Sequence, residues 1–198
     1  MTDRFDGWIS GLGTTSGRRV VVGHWLHSPL GPFTDVMTED AAGHRTLLAP
    51  GPEIADYVST TYTFDEVVVT SVAHTARDGR RQVVAGPLEC AWSVGPRPSL
   101  GLLLRAVPPV VGTDPRWLAA LDPVARRILP GVRTAGTAGN GRREFYGARD
   151  VHRIDGAVVR WDGDDLGRLA PVRPPVRFGF GSAPATPSHV RITTSVGG

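Results

Sequence analysis

Two β-branched runs, FDEVVVTSVAHTA and RQVVAGPLECAWSV, flank Arg77-Asp78-Gly79, and this arrangement constrains the fold more than any other feature of the chain. β-Branched side chains favour extended backbone, and Asp-Gly between two such runs is the signature of a tight hairpin whose twist matches its strands. Gly86-Pro87 inside the second run predicts a bulge or an edge position, because proline has no N–H for a ladder. The same pattern recurs along the chain. RRVVVGHWLH (18–27) reads as a strand closed by the turn SPLGP, and FTDVMTED with HRTLLAP (33–50) as a hairpin around Ala41-Ala42-Gly43. Residues 143–154 and 157–162 read as strands joined by a turn at Asp155-Gly156, and HVRITTSV (189–196) as a last strand after an irregular tail.

Helical spacing is confined to two places. PEIADYVSTTY (52–62) carries Pro52 at a first-turn position and apolar residues at Ile54, Ala55, Val58 and Tyr62. Residues 99–130 predict a helical insert. Ser99 is placed to cap a helix carrying Leu100, Leu103, Leu104 and Val107, and two cap-then-proline starts, Asp114-Pro115 and Asp122-Pro123, open the short segments RWLAAL and VARRIL. Strands, then a helical insert, then strands again is an α+β order. The expected architecture is an antiparallel β-barrel or strongly curved sheet with the 99–130 insert at one side. The Gly- and Ser-rich residues 1–17 are expected as a flexible lead-in, and 18–198 as a single α+β domain.

Several kinds of chemistry are absent from the sequence. All 22 basic residues are arginine, so no lysine is available for a Schiff base or a phosphate-binding loop. Arginine is no replacement, since its guanidinium stays protonated at ordinary pH. The lone Cys90, within PLECAW, reads as a small buried hydrophobe and excludes an intramolecular disulfide. The glycine-rich GTAGNG (136–141) and GLGTTSG (11–17) lack the flanking pattern of a dinucleotide fingerprint, and no cofactor is expected. His24 and His27 are three apart, which on a regular strand sends them to opposite faces, and WDGDDLG lacks a calcium loop's glutamate; no metal is expected. A net charge of +3, with arginines scattered among acids, argues against a nucleic-acid partner despite a pI near 9.7. No apolar run reaches the about 18–20 residues of a membrane span, and the first residues lack a signal peptide's apolar core. The expectation is therefore a cytoplasmic protein with a small-molecule ligand, free to form a homo-oligomer.

The densest chemistry lies in GRREFYGARDVHRI (141–154), where a period of two sets Glu144, Tyr146, Asp150 and His152 on one face. In SPLGPFTDVMTE (28–39) the same period aligns Phe33, Asp35, Met37 and Glu39. Carboxyls turned inward on a curved sheet would be desolvated and raised in pKa, as proton transfer requires; turned outward they are ordinary surface charge.

These two stretches resemble the acetoacetate decarboxylase-like superfamily, whose members carry motifs of the form SPxGPYxE and GRExxGxPK on a curved antiparallel β-cone. Ser28-Pro29-Leu30-Gly31-Pro32-Phe33-Thr34-Asp35 is similar to the first, with Phe for Tyr and Asp for Glu. Arg143-Glu144-Phe145-Tyr146-Gly147-Ala148-Arg149-Asp150 is similar to the second through Gly147, and Arg149-Asp150 stands where the family keeps Pro-Lys. The resemblance implies a small-molecule site. The missing lysine removes the family's Schiff-base decarboxylation and leaves binding, or general acid/base chemistry of a lyase or isomerase. The expected ligand is a carboxylate or keto acid held by Arg143 or Arg149 with Phe33 and Tyr146, and the expected proton-transfer groups are Glu144, Asp150, His152 and Asp35. The alternative is a non-catalytic interaction or structural protein.

Overall fold

In the computed structural model, residues 2–114, 116–119, 122, 134–137, 141–179 and 183–197 are described. Strands β1 (Thr2–Thr14), β2 (Arg19–His27), β3 (Phe33–Glu39) and β4 (Arg45–Ala49) pair antiparallel in succession. Helix α1 (Pro52–Thr61) then carries the chain to β5 (Glu66–Val69), which pairs parallel with β4. β6 (Val72–Arg77), β7 (Arg80–Ala85) and β8 (Leu88–Val94) form an antiparallel ribbon. After α2 (Ser99–Ala106) and α3 (Pro109–Gly112) come the short β9 (Ala135–Thr137) and the long β10 (Arg143–Trp161). β11 (Asp164–Asp165), β12 (Leu169–Ala170) and β13 (Ser188–Gly197) complete the sheet.

The strand order is β5-β4-β3-β2-β1-β13-β10-β8-β7-β6. β10 is the hinge of this order, since its first half pairs with β13 and its second half with β8. One face of the sheet, here the ribbon side, buries Leu12, Val20, Val22, Val36 and Leu48 against Val83, Leu88, Cys90, Trp92 and Val159 of the far strands. Strands from both ends of the order share this core, so the sheet is strongly curved. It is not closed: among the described residues β5 and β6 pair only with β4 and β7. The expected barrel is thus corrected to an open curved sheet, and the parallel β4–β5 pair makes it mixed rather than purely antiparallel. The other face, the helix side, carries Ile9, Val21, Tyr146 and Ile192 and is covered by α1 and by Val172, Val176, Phe178 and Ala183.

Four local expectations change. Residues 2–14 are a strand between β2 and β13, not a flexible lead-in. Its glycines serve close packing: a Cβ at Gly7 would lie 2.2 Å from the carbonyl oxygen of His24. Asp155-Gly156 does not turn the chain; it marks the register shift where β10 continues from β13 to β8. Gly86-Pro87 ends a strand instead of bulging one, forming the β7–β8 turn with Gly86 at φ 52°. The stripe on α2 is only partly covered, with Leu100, Leu104 and Val107 half-buried and Leu103 exposed. That helix packs through buried Gly101, leaving Leu102 and Leu103 61% and 64% exposed. Residues 116–119 are helical, and the remainder of the two short helices expected over 116–129 lies outside the described residues, apart from Asp122.

Among the described residues no helix is long and apolar enough to cross a membrane.

Candidate ligand site

The helix side of the sheet, α1 and residues 176–179 enclose a cavity with about 60 Å³ of free volume, room for roughly four or five waters or one small organic molecule. Its walls are apolar and aromatic, with Phe5, Trp25, Phe33, Tyr57 and Phe178 on one part and Ile9, Val21, Val58, Val176 and Val196 on another. Two carboxyls enter it, Asp35 from β3 and Glu144 from β10.

The SPLGP turn sets Asp35 in place. The Ser28 hydroxyl donates to the Gly31 carbonyl (2.6 Å) and accepts from the Leu30 N–H (3.0 Å), and Gly31 adopts φ 78°. β3 therefore starts at Phe33 in a fixed register, with Phe33 opposite Trp25 and Asp35 opposite Gly23. The Trp25 indole N–H donates to Asp35 Oδ1 at 3.0 Å. Only glycine fits at 23, because a Cβ there would lie 2.6 Å from Asp35 Oδ1 and 2.8 Å from Trp25 Nε1. Asp35 is 2% exposed. Burial pushes its pKa up to about 7, against the opposing effect of the indole hydrogen bond.

Glu144 is fully buried and stands at the end of a phenol chain. The Tyr62 hydroxyl donates to Glu144 Oε1 at 2.5 Å, and the Tyr146 hydroxyl lies 2.5 Å from that of Tyr62. With Glu144 ionised, the one proton of Tyr62 points at the carboxylate, so Tyr146 donates to Tyr62. Burial raises the Glu144 pKa to about 7, with the tyrosine hydrogen bonds working the other way. Burial and the neighbouring Tyr146 and Glu144 hold the Tyr62 phenol well above its usual value, so it acts as a donor and not as a base. Two polar atoms of the lining, Glu144 Oε2 and Thr194 Oγ1, are buried with no hydrogen-bond partner among the described residues.

The eight residues singled out in the sequence divide between the two faces. Phe33, Asp35, Glu144 and Tyr146 meet in the cavity. Asp150 and His152 do not, because β10 slips by one residue between Ala148 and Asp150. Ala148 pairs with Ile192 on the helix side, whereas Asp150 pairs with Arg191 on the ribbon side. There Arg97 binds Asp150 bidentately at 2.7 and 2.9 Å. Burial opposes ionisation of Asp150, but the guanidinium outweighs it and keeps this carboxyl below its usual range. His152 Nε2 lies 3.2 Å from an Arg97 nitrogen and Nδ1 lies 3.0 Å from the Gly95 carbonyl. The Gly95 carbonyl only accepts, so Nδ1 carries a hydrogen, and Nε2 also lies 3.5 Å from Asp150 Oδ2, so the ring is held on the ribbon side by Asp150, Arg97 and Gly95. Neither group is placed to move a proton in the cavity.

The arginines expected to grip a carboxylate are also elsewhere. Arg149, the extra residue of the slip, pairs with Asp6 at 3.3 Å, and the exposed Arg143 lies over the Phe145 ring at 5.1 Å. No arginine or histidine is among the described residues lining the cavity.

Sequence reasoning missed Tyr62 and Thr194. Tyr62 carried a weak signal as the last apolar position of the α1 pattern, where it reads as core. Thr194 carried none, since TTSV is an ordinary strand sequence.

Among the described residues no three or more His, Cys, Asp or Glu side chains are grouped to hold a metal ion. A bulge at Leu26 also undoes the expected separation of the HxxH pair: His24 pairs with Trp8 and His27 with Asp6, both on the ribbon side.

No protein family's sequence profile matches the chain, and no curated protein matches it. Among solved structures, an acetoacetate decarboxylase from Legionella pneumophila subsp. pneumophila str. Philadelphia 1 aligns with 99% of this chain and 85% of its own, at 8% identity and a TM-score of 0.45. A second acetoacetate decarboxylase structure aligns with 100% of this chain and 87% of its own, at 8% identity and a TM-score of 0.47.

Proposed function

We propose that this chain binds a small organic molecule in the helix-side cavity and that Glu144, assisted by Asp35, exchanges protons with it. The observation that carries the reading is the pair of buried oxygens in the cavity lining with no partner among the described residues, Glu144 Oε2 and Thr194 Oγ1. Each such group costs about 1–3 kcal/mol in stability when left unsatisfied, a cost that a ligand's polar end relieves. Carboxyls with pKa values near 7 supply acid and base at neutral pH. That suits lyase or isomerase chemistry without lysine. The expected role of Arg143 or Arg149 as a carboxylate clamp has no support in their placement, which removes the reason for choosing a carboxylate ligand.

The test is a thermal-shift screen of small polar organic molecules against the wild type, Thr194→Val and Val176→Phe. Hits are expected to raise the melting temperature of the wild type, less so that of the isosteric T194V, and not that of V176F, in which a phenyl ring fills the cavity. A broad screen without hits, or hits that survive in V176F, would sink the reading.

The second reading, a non-catalytic interaction protein, draws on Leu102, Leu103, Val111 and Trp117, which stand 41–64% exposed around the helical insert. The partner proposed for that surface is a second copy of this chain. Sedimentation of the wild type beside L102S/L103S tests it: a concentration-dependent dimer lost in the double variant supports it, and a monomer in both refutes it.

A further inference from the structure

The cavity combines an aromatic wall, two buried acids and no cation among its described lining residues. Those three features select among ligand chemistries. An anionic ligand would add a negative charge beside Asp35 and Glu144 with nothing to offset it. A neutral ligand would find a hydrogen-bonding group but would leave either acid, once ionised, without a countercharge. A cation can pair with one ionised acid while its apolar part meets the aromatic wall. We propose, resting on the small-molecule reading above, that the ligand is a small organic ammonium ion, its N–H donating to the free oxygen of Glu144 and its apolar part lying against the aromatic wall.

The local geometry supports this choice. Glu144 Oε1 is already occupied by the Tyr62 hydroxyl, and Oε2 is the oxygen with no partner. A carboxylate whose first oxygen is fixed in this way presents its second in one direction, which suits a charge-assisted bond from an ammonium. Thr194 Oγ1, the other unpartnered atom, is free to accept a second N–H. Phe5, Trp25, Phe33 and Tyr57 supply aromatic surface in the lining for the charge and its alkyl substituent. The titratable and charged groups on each packed element agree. Asp35 comes from β3, Tyr57 and Tyr62 from α1 and the residue after it, Tyr146 from β10, and no cation comes from the described lining residues of β13 or 171–179. Arg142, two residues before Glu144, is engaged by Asp3 at 2.7 Å and by the Val196 carbonyl at 3.1 Å.

The proposal sets a direction for pH. An alkylammonium stays protonated through neutrality while Glu144 ionises near 7, so binding strengthens as pH rises. With one carboxylate required, affinity should increase on the order of tenfold between about pH 6 and about pH 8.5. A neutral carbonyl or hydroxyl ligand accepting from protonated Glu144 would show the opposite trend.

The experiment is calorimetric titration of the full chain with four probes of similar size, n-butylammonium, n-butanol, 2-butanone and butyrate, at both pH values. The expected result is that butylammonium binds best and tighter at the higher pH, and that Glu144→Gln, which keeps an acceptor for Tyr62, weakens it at least about tenfold. Asp35→Asn is the second variant, expected to weaken it less, and circular dichroism checks that both fold. Tighter binding of butanone or butanol, strongest at the lower pH, would overturn the ammonium proposal and leave the small-molecule reading standing. So would preferred binding of butyrate, or butylammonium affinity unchanged in E144Q. Failure of all four probes to bind the wild type would overturn both.

Discussion

Asp35 provides a test of the site that needs no ligand. Its pKa stands at about 7 in the folded protein, against an ordinary value of 3.8, so folding disfavours the ionised form. Protonated Asp35 therefore contributes stability that is fully present below pH 3.8 and is lost as the pH rises through about 7. A pKa difference of one between the folded and unfolded chain corresponds to about 1.4 kcal/mol, so about 4 kcal/mol is forfeited above the folded pKa, of which only about 2 has been lost by pH 5. Asp35→Asn removes the titration and keeps an oxygen for the Trp25 indole to donate to. Relative to the wild type, D35N should gain about 2–3 kcal/mol between pH 5 and pH 8. With a urea m-value of about 2 kcal/mol/M, the gain is a midpoint shift of about 1 M. Urea unfolding of both proteins at several pH values measures it. Other titrating groups contribute to both curves and cancel in the difference, provided that they lie away from Asp35. A midpoint difference that is flat with pH, or that shrinks as pH rises, would refute a buried carboxyl with a raised pKa at this position.

Other consequences follow from the same geometry. Gly23→Ala should push Trp25 and Asp35 apart, costing about 1–3 kcal/mol in thermal unfolding and weakening any cavity ligand. Asp150→Asn should cost about 1–2 kcal/mol by loosening its bidentate bond to Arg97, and titrations should show cavity binding unchanged, because Asp150 lies across the sheet. Glu39→Gln should cost about 3–5 kcal/mol, lowering the melting temperature by on the order of 10 °C. It strands Arg19, 2% exposed and 2.8 Å from Glu39, and loosens Arg177, which ties the cavity's covering segment to β3. Stability should also fall as pH drops below 6.5, since burial first, and then neighbouring arginine and histidine charge, depress His74 and His189 to about 4 and about 3. His189→Gln should flatten that acid limb in a pH series of unfolding midpoints.

How much of this was legible in the sequence depends on how local each signal was. The Asp78-Gly79 hairpin, the β3–β4 hairpin and α1 were legible because turn residues and spacing act within a few positions. β1 was not, because its glycines read as looseness when their purpose is close contact with strands far away in sequence. The incomplete burial of the α2 stripe was missed for a related reason: the side of a helix that packs is chosen by its neighbour, here β10 against Gly101, and periodicity reports only that a stripe exists.

The slip at Arg149 shows why half of the candidate site was legible and half was not. Alternation assigns faces only while the register is unbroken, and within GRREFYGARDVHRI it holds from Glu144 through Ala148. Carried further, it would have put Asp150 on the same side as Asp35 and Glu144, giving three acids around one cavity without a described cation. Burying a further carboxylate there would cost several kcal/mol. One unpaired residue is a smaller distortion, and it delivers Asp150 to Arg97 and Arg149 to Asp6, so that both charges find partners on the ribbon side. The partners lie 53 and 143 residues away in sequence, beyond the reach of any local pattern. The bulge is therefore what leaves the cavity with two acids rather than three, of which a single bound cation would pair with one.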